Sequence, residues 1–96
     1  MRIIWAPRAL LRAEESMDWI ARDDPEAARR WVAHLFDRVR QLRQFPDSGR
    51  MVPEARRPEI RELIMDQYRI IYRRDPTRII VLTVRHTREL FSPDDV

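Results

Sequence analysis

The chain has 96 residues, enough for one domain and near the lower limit at which a chain buries a core without help from a partner. It has no cysteine, which excludes disulfides and thiolate metal sites, and its net charge of +3 includes 19 basic residues that are all arginine. With 44% hydrophobic residues the composition excludes a disordered chain. We expect a single domain over residues 1–96, without a membrane span or signal peptide, in the cytoplasm.

A first strand and a first helix are predicted at the start of the chain. Residues 2–6 include three large apolar side chains in succession and end before Pro7, which has no amide hydrogen to donate to a sheet. Residues 8–22 then carry an apolar stripe at intervals of three and four, the spacing of one helix face. The stripe consists of Leu10, Ala13, Met17 and Ile20.

Asp24 and Pro25 predict the start of a second helix, because an aspartate caps free amides and a proline fits the first turn. This helix is predicted to extend to about Phe45. The link between the two helices is very short, so they should form an antiparallel hairpin that buries both stripes against a sheet. The second stripe consists of Ala28, Trp31 or Val32, Leu35, Val39 and Leu42.

The second half of the chain predicts a loop and then strands. Residues 46–58 contain three prolines and the only glycine, Gly49, and predict a long surface loop. Three segments rich in β-branched and aromatic residues follow, and they predict an antiparallel meander. They are Ile60 to Met65, Tyr68 to Arg73 and Ile79 to His86. The expected fold is α+β: an N-terminal strand, an antiparallel helical hairpin, and a three-stranded antiparallel meander that completes the sheet. The tail beyond Phe91 is expected to fray.

An arginine cluster is predicted on one face of the sheet. Because side chains alternate along a strand, Arg69 and Arg73 lie opposite Ile70 if Ile70 packs beneath the helices. Arg61 and Arg85 join the same face if the register of their strands permits. The planar guanidinium fork binds carboxylates and phosphates with two hydrogen bonds, so an acidic polypeptide, a nucleic acid, or both are the expected partners.

Motifs on the loop and strands carry a resemblance to a known family. They are the Pro46 to Arg50 turn with Val52-Pro53-Glu54, Arg61-Glu62-Leu63, Tyr68-Arg69-Ile70-Ile71-Tyr72-Arg73, and the segment Ile79 to Arg88. Their order and spacing, over about residues 2–91, resemble the RelE/ParE superfamily of toxins from type II toxin–antitoxin, or plasmid stabilisation, systems. The resemblance implies a cognate antitoxin, ParD-like or RelB-like, in a hetero-oligomeric complex with this chain.

The superfamily divides by target, and RelE-like members are ribosome-dependent mRNA endonucleases. That resemblance would make Arg61, Arg69, His86 and Arg88 catalytic, with arginines stabilising phosphate charge and His86 transferring a proton. The sequence departs from RelE in two ways. The C-terminal catalytic tyrosine has no counterpart, since Phe91 stands in its neighbourhood, and the paired lysines are absent.

ParE-like members inhibit DNA gyrase, and the closing Val84-Arg85-His86-Thr87-Arg88 resembles the aliphatic-x-His-x-Arg ending of their sequences. This is the favoured prediction. Arg69, Arg73, Arg85 and Arg88 are then expected to bind the target or the antitoxin. Two alternatives stay open, namely a RelE-like mRNA endonuclease and a non-toxic remnant that only binds antitoxin. No cofactor and no metal are predicted, because no metal-ligand spacing is present.

Three candidate residues also have structural interpretations. Glu54 and Glu62 could act as acid or base groups, but a carboxylate among arginines is more often an ion-pair partner that holds a loop in place. His86, at the end of a strand, could equally be packed and hydrogen-bonded to the backbone.

Overall fold

A helical hairpin covers one face of a five-stranded sheet in the computed structural model, which describes residues 1–90 and 96. The predicted fraying beyond Phe91 falls on residues 91–95, outside the described residues. The elements are β1 (Arg2–Trp5), α1 (Pro7–Ala21), α2 (Pro25–Arg40), a 3-10 turn (Gln41–Arg43), β2 (Arg50–Met51), β3 (Ile60–Met65), β4 (Tyr68–Arg74) and β5 (Arg78–His86).

The predicted hairpin is confirmed, and local capping explains where α2 begins. The Asp24 carboxylate accepts hydrogen bonds from the amides of Glu26 and Ala27, both at 3.1 Å. These are two of the four amides that a helix start leaves without helical partners, so the short link between the helices ends in a well-capped turn. At the other end the helix tightens into the 3-10 turn instead of continuing to Phe45.

The stripe predicted for α2 is buried, and three of the four residues predicted for the α1 stripe pack against the core, the exception being Leu10. Ala9 is the fully buried residue of α1, while Ala13, Met17 and Ile20 are half-buried and Leu10 is 49% exposed. The physical reason is that α1 packs on both α2 and β5. The helix approaches these two elements most closely at Ala9, whose side chain is small. Leu10 therefore lies at the outer margin of that interface.

The sheet has the order β1-β5-β4-β3-β2, in which β1 runs parallel to β5 and all other pairs are antiparallel. The predicted meander β3-β4-β5 is confirmed, and the N-terminal strand completes the sheet beside β5. The two-residue strand β2 was not predicted, because it lies in the loop 46–58 and is too short to show a period. A bulge between Ile71 and Tyr72 lets β5 carry one extra residue, Leu82.

The two faces of the sheet have different cores. The helix-covered face holds the main core, which includes Leu63, Ile70, Tyr72 and Val81. We call the opposite side the open face. Its small apolar cluster is formed by Val52, Ile60 and Ile71, with Ala55 and Leu82 packed against it. The loop after β2 therefore folds over part of the open face and covers the polar side chains beside that cluster.

Candidate functional site

The open face brings together three of the predicted arginines. Arg69 on β4 lies directly opposite Arg85 on β5, and Arg73 follows on the same face after Ile71. Ile70 packs in the helix-covered core, as the alternation requires. Arg69 and Arg85 are each only 8% exposed, so this is a partly buried cationic cluster. Buried cations need anionic partners, and the chain supplies them.

Four residues form a charged network on this face, which we call the Arg69–Glu62 network: Arg50, Glu54, Glu62 and Arg69. The Arg69 Nε donates to Glu62 Oε1 at 2.6 Å, and its Nη1 and Nη2 donate to the two Glu54 oxygens at 2.8 and 2.9 Å. The second Glu62 oxygen accepts from Arg50 Nε at 2.6 Å. The Glu62 side chain has no exposed surface. Glu54 and Glu62 are thus ion-pair partners that tie the loop to the sheet.

The contact between Arg69 and Glu54 shifts the pKa of both groups away from their ordinary values. The hydrogen bonds to Glu54 are the main reason that the pKa of Arg69 lies well above its ordinary value, and those to Glu62 raise it further against the opposing effect of burial. The same contact with Arg69 holds the pKa of Glu54 below its ordinary value. Arg69 is therefore a permanent cation that two carboxylates already neutralise, and it takes no part in proton transfer near neutral pH.

The other two arginines of the open face are also paired. Arg73 donates to the Asp75 carboxylate at 2.8 and 3.1 Å, and this pairing is the main reason that the pKa of Asp75 is lowered. Arg85 lies 3.2 Å from the Glu89 carboxylate and donates to the Leu90 carbonyl at 2.7 Å. The face therefore presents internal ion pairs in place of a row of bare cations.

Arg61 does not join the open face, because the register does not permit it. It pairs with Tyr72 across β3 and β4 and points away from Arg69. Its Nη1 donates to the Gly49 carbonyl at 2.8 Å and to the Asp47 carbonyl at 3.3 Å. Arg61 thus anchors the turn before β2.

His86 also lies on the face opposite Arg69, next to Tyr68, with the two ring centroids 5.3 Å apart. The His86 Nδ1 accepts the backbone amide hydrogen of Arg88 at 3.1 Å, and its Nε2 lies 3.2 Å from the Gln67 amide oxygen. The ring is therefore held by its neighbours on both nitrogens. Arg88 itself is exposed in the turn after β5.

The structure does not bring the four candidate nuclease residues together. Arg69 occupies one face of the sheet, while Arg61 and His86 lie on the other. On that second face Arg61 pairs with Tyr72 and His86 with Tyr68, positions that are about 13 Å apart along β4. An acid–base pair that acts on one phosphate needs its groups within hydrogen-bond reach of the same atoms, and this arrangement does not provide that.

Sequence reasoning missed the close contact between Gly49 and Tyr72. The Tyr72 hydroxyl donates to the Pro46 carbonyl at 2.9 Å and accepts the Gly49 amide hydrogen at 3.0 Å. A Cβ at position 49 would lie only 2.6 Å from this hydroxyl and 2.6 Å from the Glu62 carbonyl oxygen. The only sequence feature that points to this contact is the single glycine of the chain, and nothing in the sequence identifies the residues that it contacts.

Residues 1–90 and 96 contain neither a cluster of metal-binding side chains nor a membrane-spanning helix. No group of three or more histidine, cysteine, aspartate or glutamate side chains there is arranged to hold a metal ion. No helix in these residues is long and apolar enough to cross a membrane.

The lowered pKa of Glu54 predicts that the free energy of unfolding depends on pH. Because its pKa is lower in the folded chain than the ordinary 4.5, its pairing stabilises the fold fully above that value, and this contribution is lost as the pH falls through the folded pKa. Glu54→Gln should therefore unfold more easily than wild type at pH 7, and the difference should shrink below about pH 4. Urea unfolding of both proteins between pH 7 and 3 measures it. A difference that is constant with pH would contradict the assignment.

Comparisons with known proteins agree with the fold and the motifs. Residues 3–91 match the family model described as the ParE toxin of the type II toxin–antitoxin system parDE. A curated relative, the candidate toxin Y4kP of Sinorhizobium fredii strain NGR234, is 39% identical over 89 residues, which are 92% of this chain and 90% of the relative. A chain of the chromosomal ParDE system from P. aeruginosa has the same fold, with a TM-score of 0.74, 21% identity, and coverage of 90% of this chain and 95% of that one. The chain belongs to the ParE toxin family of type II toxin–antitoxin systems.

Proposed function

We propose that this chain inhibits DNA gyrase without catalysing a reaction, and that a cognate antitoxin neutralises it. The observation that carries the proposal is the pairing of Arg69 with both Glu54 and Glu62, while His86 lies on the other face of the sheet. The arginine that a nuclease would use for phosphate charge is already occupied. Membership of the ParE family also favours the hypothesis that the chain inhibits gyrase.

RNA cleavage through the ribose 2′-hydroxyl requires several groups around one phosphate, and this geometry does not bring the candidate residues together. It needs a base for the hydroxyl, cations for the phosphorane, and an acid for the leaving oxygen, all around one phosphate. Using Arg69 there would require breaking its two-point contact with Glu54, which is among the strongest pairings that proteins make. A toxin that acts by binding a protein surface has no such requirement.

An antitoxin partner fits the exposed apolar surface of the helical hairpin. Trp19 is 67% exposed, and Leu10, Leu11 and Phe36 are between 40% and 55% exposed, in a chain near the lower size limit for an independent core. The structural neighbour is described as part of a ParDE system, which supports a hetero-complex as the resting form of this chain as well. A partner that binds only the folded toxin would raise its stability by mass action.

Expression of the chain in bacteria without antitoxin tests the proposal and separates its alternatives. We expect growth arrest, relaxed plasmid DNA on chloroquine gels, and intact translated mRNA by primer extension, all reversed by the co-expressed antitoxin. Codon-phased mRNA cuts with normal plasmid supercoiling would instead identify an mRNA endonuclease. Unaltered growth would identify a non-toxic remnant.

His86→Gln distinguishes binding from catalysis. Glutamine retains hydrogen-bonding groups but cannot act as a proton-transfer group near neutral pH, so a gyrase inhibitor should keep its potency within about twofold. General acid–base catalysis by His86 would instead predict a loss of about 100-fold or more. Half-inhibitory concentrations in a gyrase supercoiling assay measure the effect, with the circular dichroism of both proteins as the folding control. A loss of inhibition with an intact fold would contradict the non-catalytic reading.

A further inference from the structure

The first residues of β1 and β5 place two arginines side by side on the open face. Arg2 and Arg78 are partners in parallel strands, which lie about 4.8 Å apart in a sheet. The next pair along the strands, Ile3 and Ile79, packs in the helix-covered core, so alternation directs Arg2 and Arg78 to the open face. Like charges directly opposite each other destabilise a sheet, and an anion bound to both relieves the repulsion. This position therefore favours an anionic ligand.

A third arginine joins this pair, and one carboxylate serves the group. Arg73 of β4 lies on the same face and donates to Asp75 at 2.8 and 3.1 Å. The Arg78 Nε donates to the same carboxylate at 3.2 Å, whereas Arg2 has no ion pair within residues 1–90 and 96. We call Arg2, Arg73, Arg78 and Asp75 the arginine corner. Three guanidinium groups and one carboxylate leave the corner with a net positive charge.

Asp75 holds two of these arginines in place without using all of their donors. Its contacts use the Nε and Nη2 of Arg73 but only the Nε of Arg78. In the part of the chain that the structure describes, the remaining N–H groups of both guanidinium groups have no acceptor. The Arg78 side chain is 44% exposed, so a ligand can reach it. Groups that are ordered before binding lose less conformational entropy when the ligand arrives.

The composition of the corner favours a nucleic acid over a protein as its ligand. The turn between β4 and β5, residues 73–78, reads Arg-Arg-Asp-Pro-Thr-Arg and has no large apolar side chain. The centre of a protein–protein interface is apolar, whereas interfaces with nucleic acids are more polar and more positively charged. The planar guanidinium group also binds a phosphate with two parallel hydrogen bonds. The corner therefore has the chemistry of a phosphate-backbone contact.

We propose that the arginine corner binds phosphate groups of double-stranded DNA. The choice of double-stranded DNA rests on the proposed inhibition of gyrase, because this is the nucleic acid on which gyrase acts. In this arrangement the toxin contacts the enzyme and the DNA that the enzyme holds. The contacts are made to phosphates alone, so binding does not depend on the base sequence.

Fluorescence anisotropy with a short labelled DNA duplex and the purified full-length chain, without gyrase, tests this contact. Three arginines on phosphates predict that the logarithm of the binding constant falls with the logarithm of salt concentration with a slope of about −3. Arg2→Gln should weaken binding roughly fivefold at about 50 mM salt and reduce the slope by about 1. Because Arg2 has no ion pair in the described part of the chain, the variant should fold normally, which circular dichroism checks.

Arg30→Gln is the matched control. It removes the same charge from a side chain that is 71% exposed, near the start of α2. The Met1 amine, next to Arg2, donates to the Arg43 carbonyl beyond the end of α2, so Arg30 lies at the opposite end of the helix from the arginine corner. Arg30→Gln should change duplex binding by less than about twofold. Equal losses for the two variants, or no duplex binding by the wild-type chain at about 50 mM salt, would overturn the inference.

A supercoiling assay on the same proteins separates this inference from the proposed function. Weaker gyrase inhibition by Arg2→Gln than by Arg30→Gln would support both. Gyrase inhibition by a chain that does not bind the duplex would overturn the DNA contact alone. Duplex binding with the predicted salt dependence, but without gyrase inhibition, would support the phosphate contact and overturn the proposed function. Displacement of the duplex by polyglutamate at an equal concentration of charge would assign the corner to an acidic protein and overturn the inference.

Discussion

Replacing Glu62 with alanine should lower the free energy of unfolding by about 3 kcal/mol. The substitution leaves Arg69, which is 8% exposed, without the carboxylate that accepts from its Nε. Breaking a buried ion pair by removing one partner costs about 3–5 kcal/mol, and the lower end applies because the second partner, Arg50, has a 60% exposed side chain. For a domain of this length the loss corresponds to a melting temperature about 15 °C lower.

Urea unfolding at pH 7 measures the effect, with Glu59→Ala as the control. Glu59 is also paired with an arginine, Arg57, at 2.7 Å, but the Arg57 side chain is 51% exposed and the Glu59 side chain 38% exposed, so its loss should be much smaller. Removing both charges in Glu62→Leu with Arg69→Met should recover part of the loss, because the buried Arg69 Nε–H that has lost its acceptor is then removed as well. Equal losses for Glu62→Ala and Glu59→Ala would contradict the buried network.

Gly49→Ala should destabilise the chain by about 3 kcal/mol, the upper end for overpacked positions. The added Cβ would lie 2.6 Å from the Glu62 carbonyl oxygen and 2.6 Å from the Tyr72 hydroxyl. The first of these atoms belongs to the backbone of β3 and the second to a fully buried ring, so neither moves without disturbing the sheet. Movement of the turn would also break the hydrogen bond from the Gly49 amide to Tyr72.

Two further variants isolate the cause of this effect. Ser48→Ala, at the exposed neighbouring position, should change stability by less than about 0.5 kcal/mol. Tyr72→Phe removes the hydroxyl that joins Pro46 and Gly49 and should cost about 1–2 kcal/mol. Thermal melts of the three proteins rank the effects. A Gly49→Ala variant as stable as Ser48→Ala would show that the turn does not pack as described.

The order of the helices and main strands could be predicted because the local signals agree with one another. Asp24 and Pro25 mark the start of α2, and alternation along β4 assigns Ile70 and Arg69 to opposite faces. Predictions failed where the decisive contact is distant in sequence. The burial of Ala9 in place of Leu10 depends on how α1 approaches β5, and β2 exists only because the preceding turn brings it beside β3.

The candidate site was predicted less completely than the fold. The arginines of β4 could be placed on one face from their spacing, and Glu54 and Glu62 were interpreted as ion-pair partners. The direction of Arg61 depends on strand register, and the sequence alone does not fix register when turn lengths leave more than one pairing open. His86 and Arg69 lie on opposite faces of the sheet because side chains alternate along the strands. The motif Val84-Arg85-His86 does not by itself reveal this separation.

The most direct test of the proposed function is a supercoiling assay with purified gyrase, the purified chain and its purified antitoxin. We expect the chain to inhibit supercoiling in proportion to its concentration, and an equimolar amount of antitoxin to restore activity, with no cleavage of mRNA on translating ribosomes in parallel. Uninhibited gyrase together with toxin-dependent, codon-phased mRNA cuts would contradict the account, and would make Arg69, His86 and Arg88 the first residues to mutate.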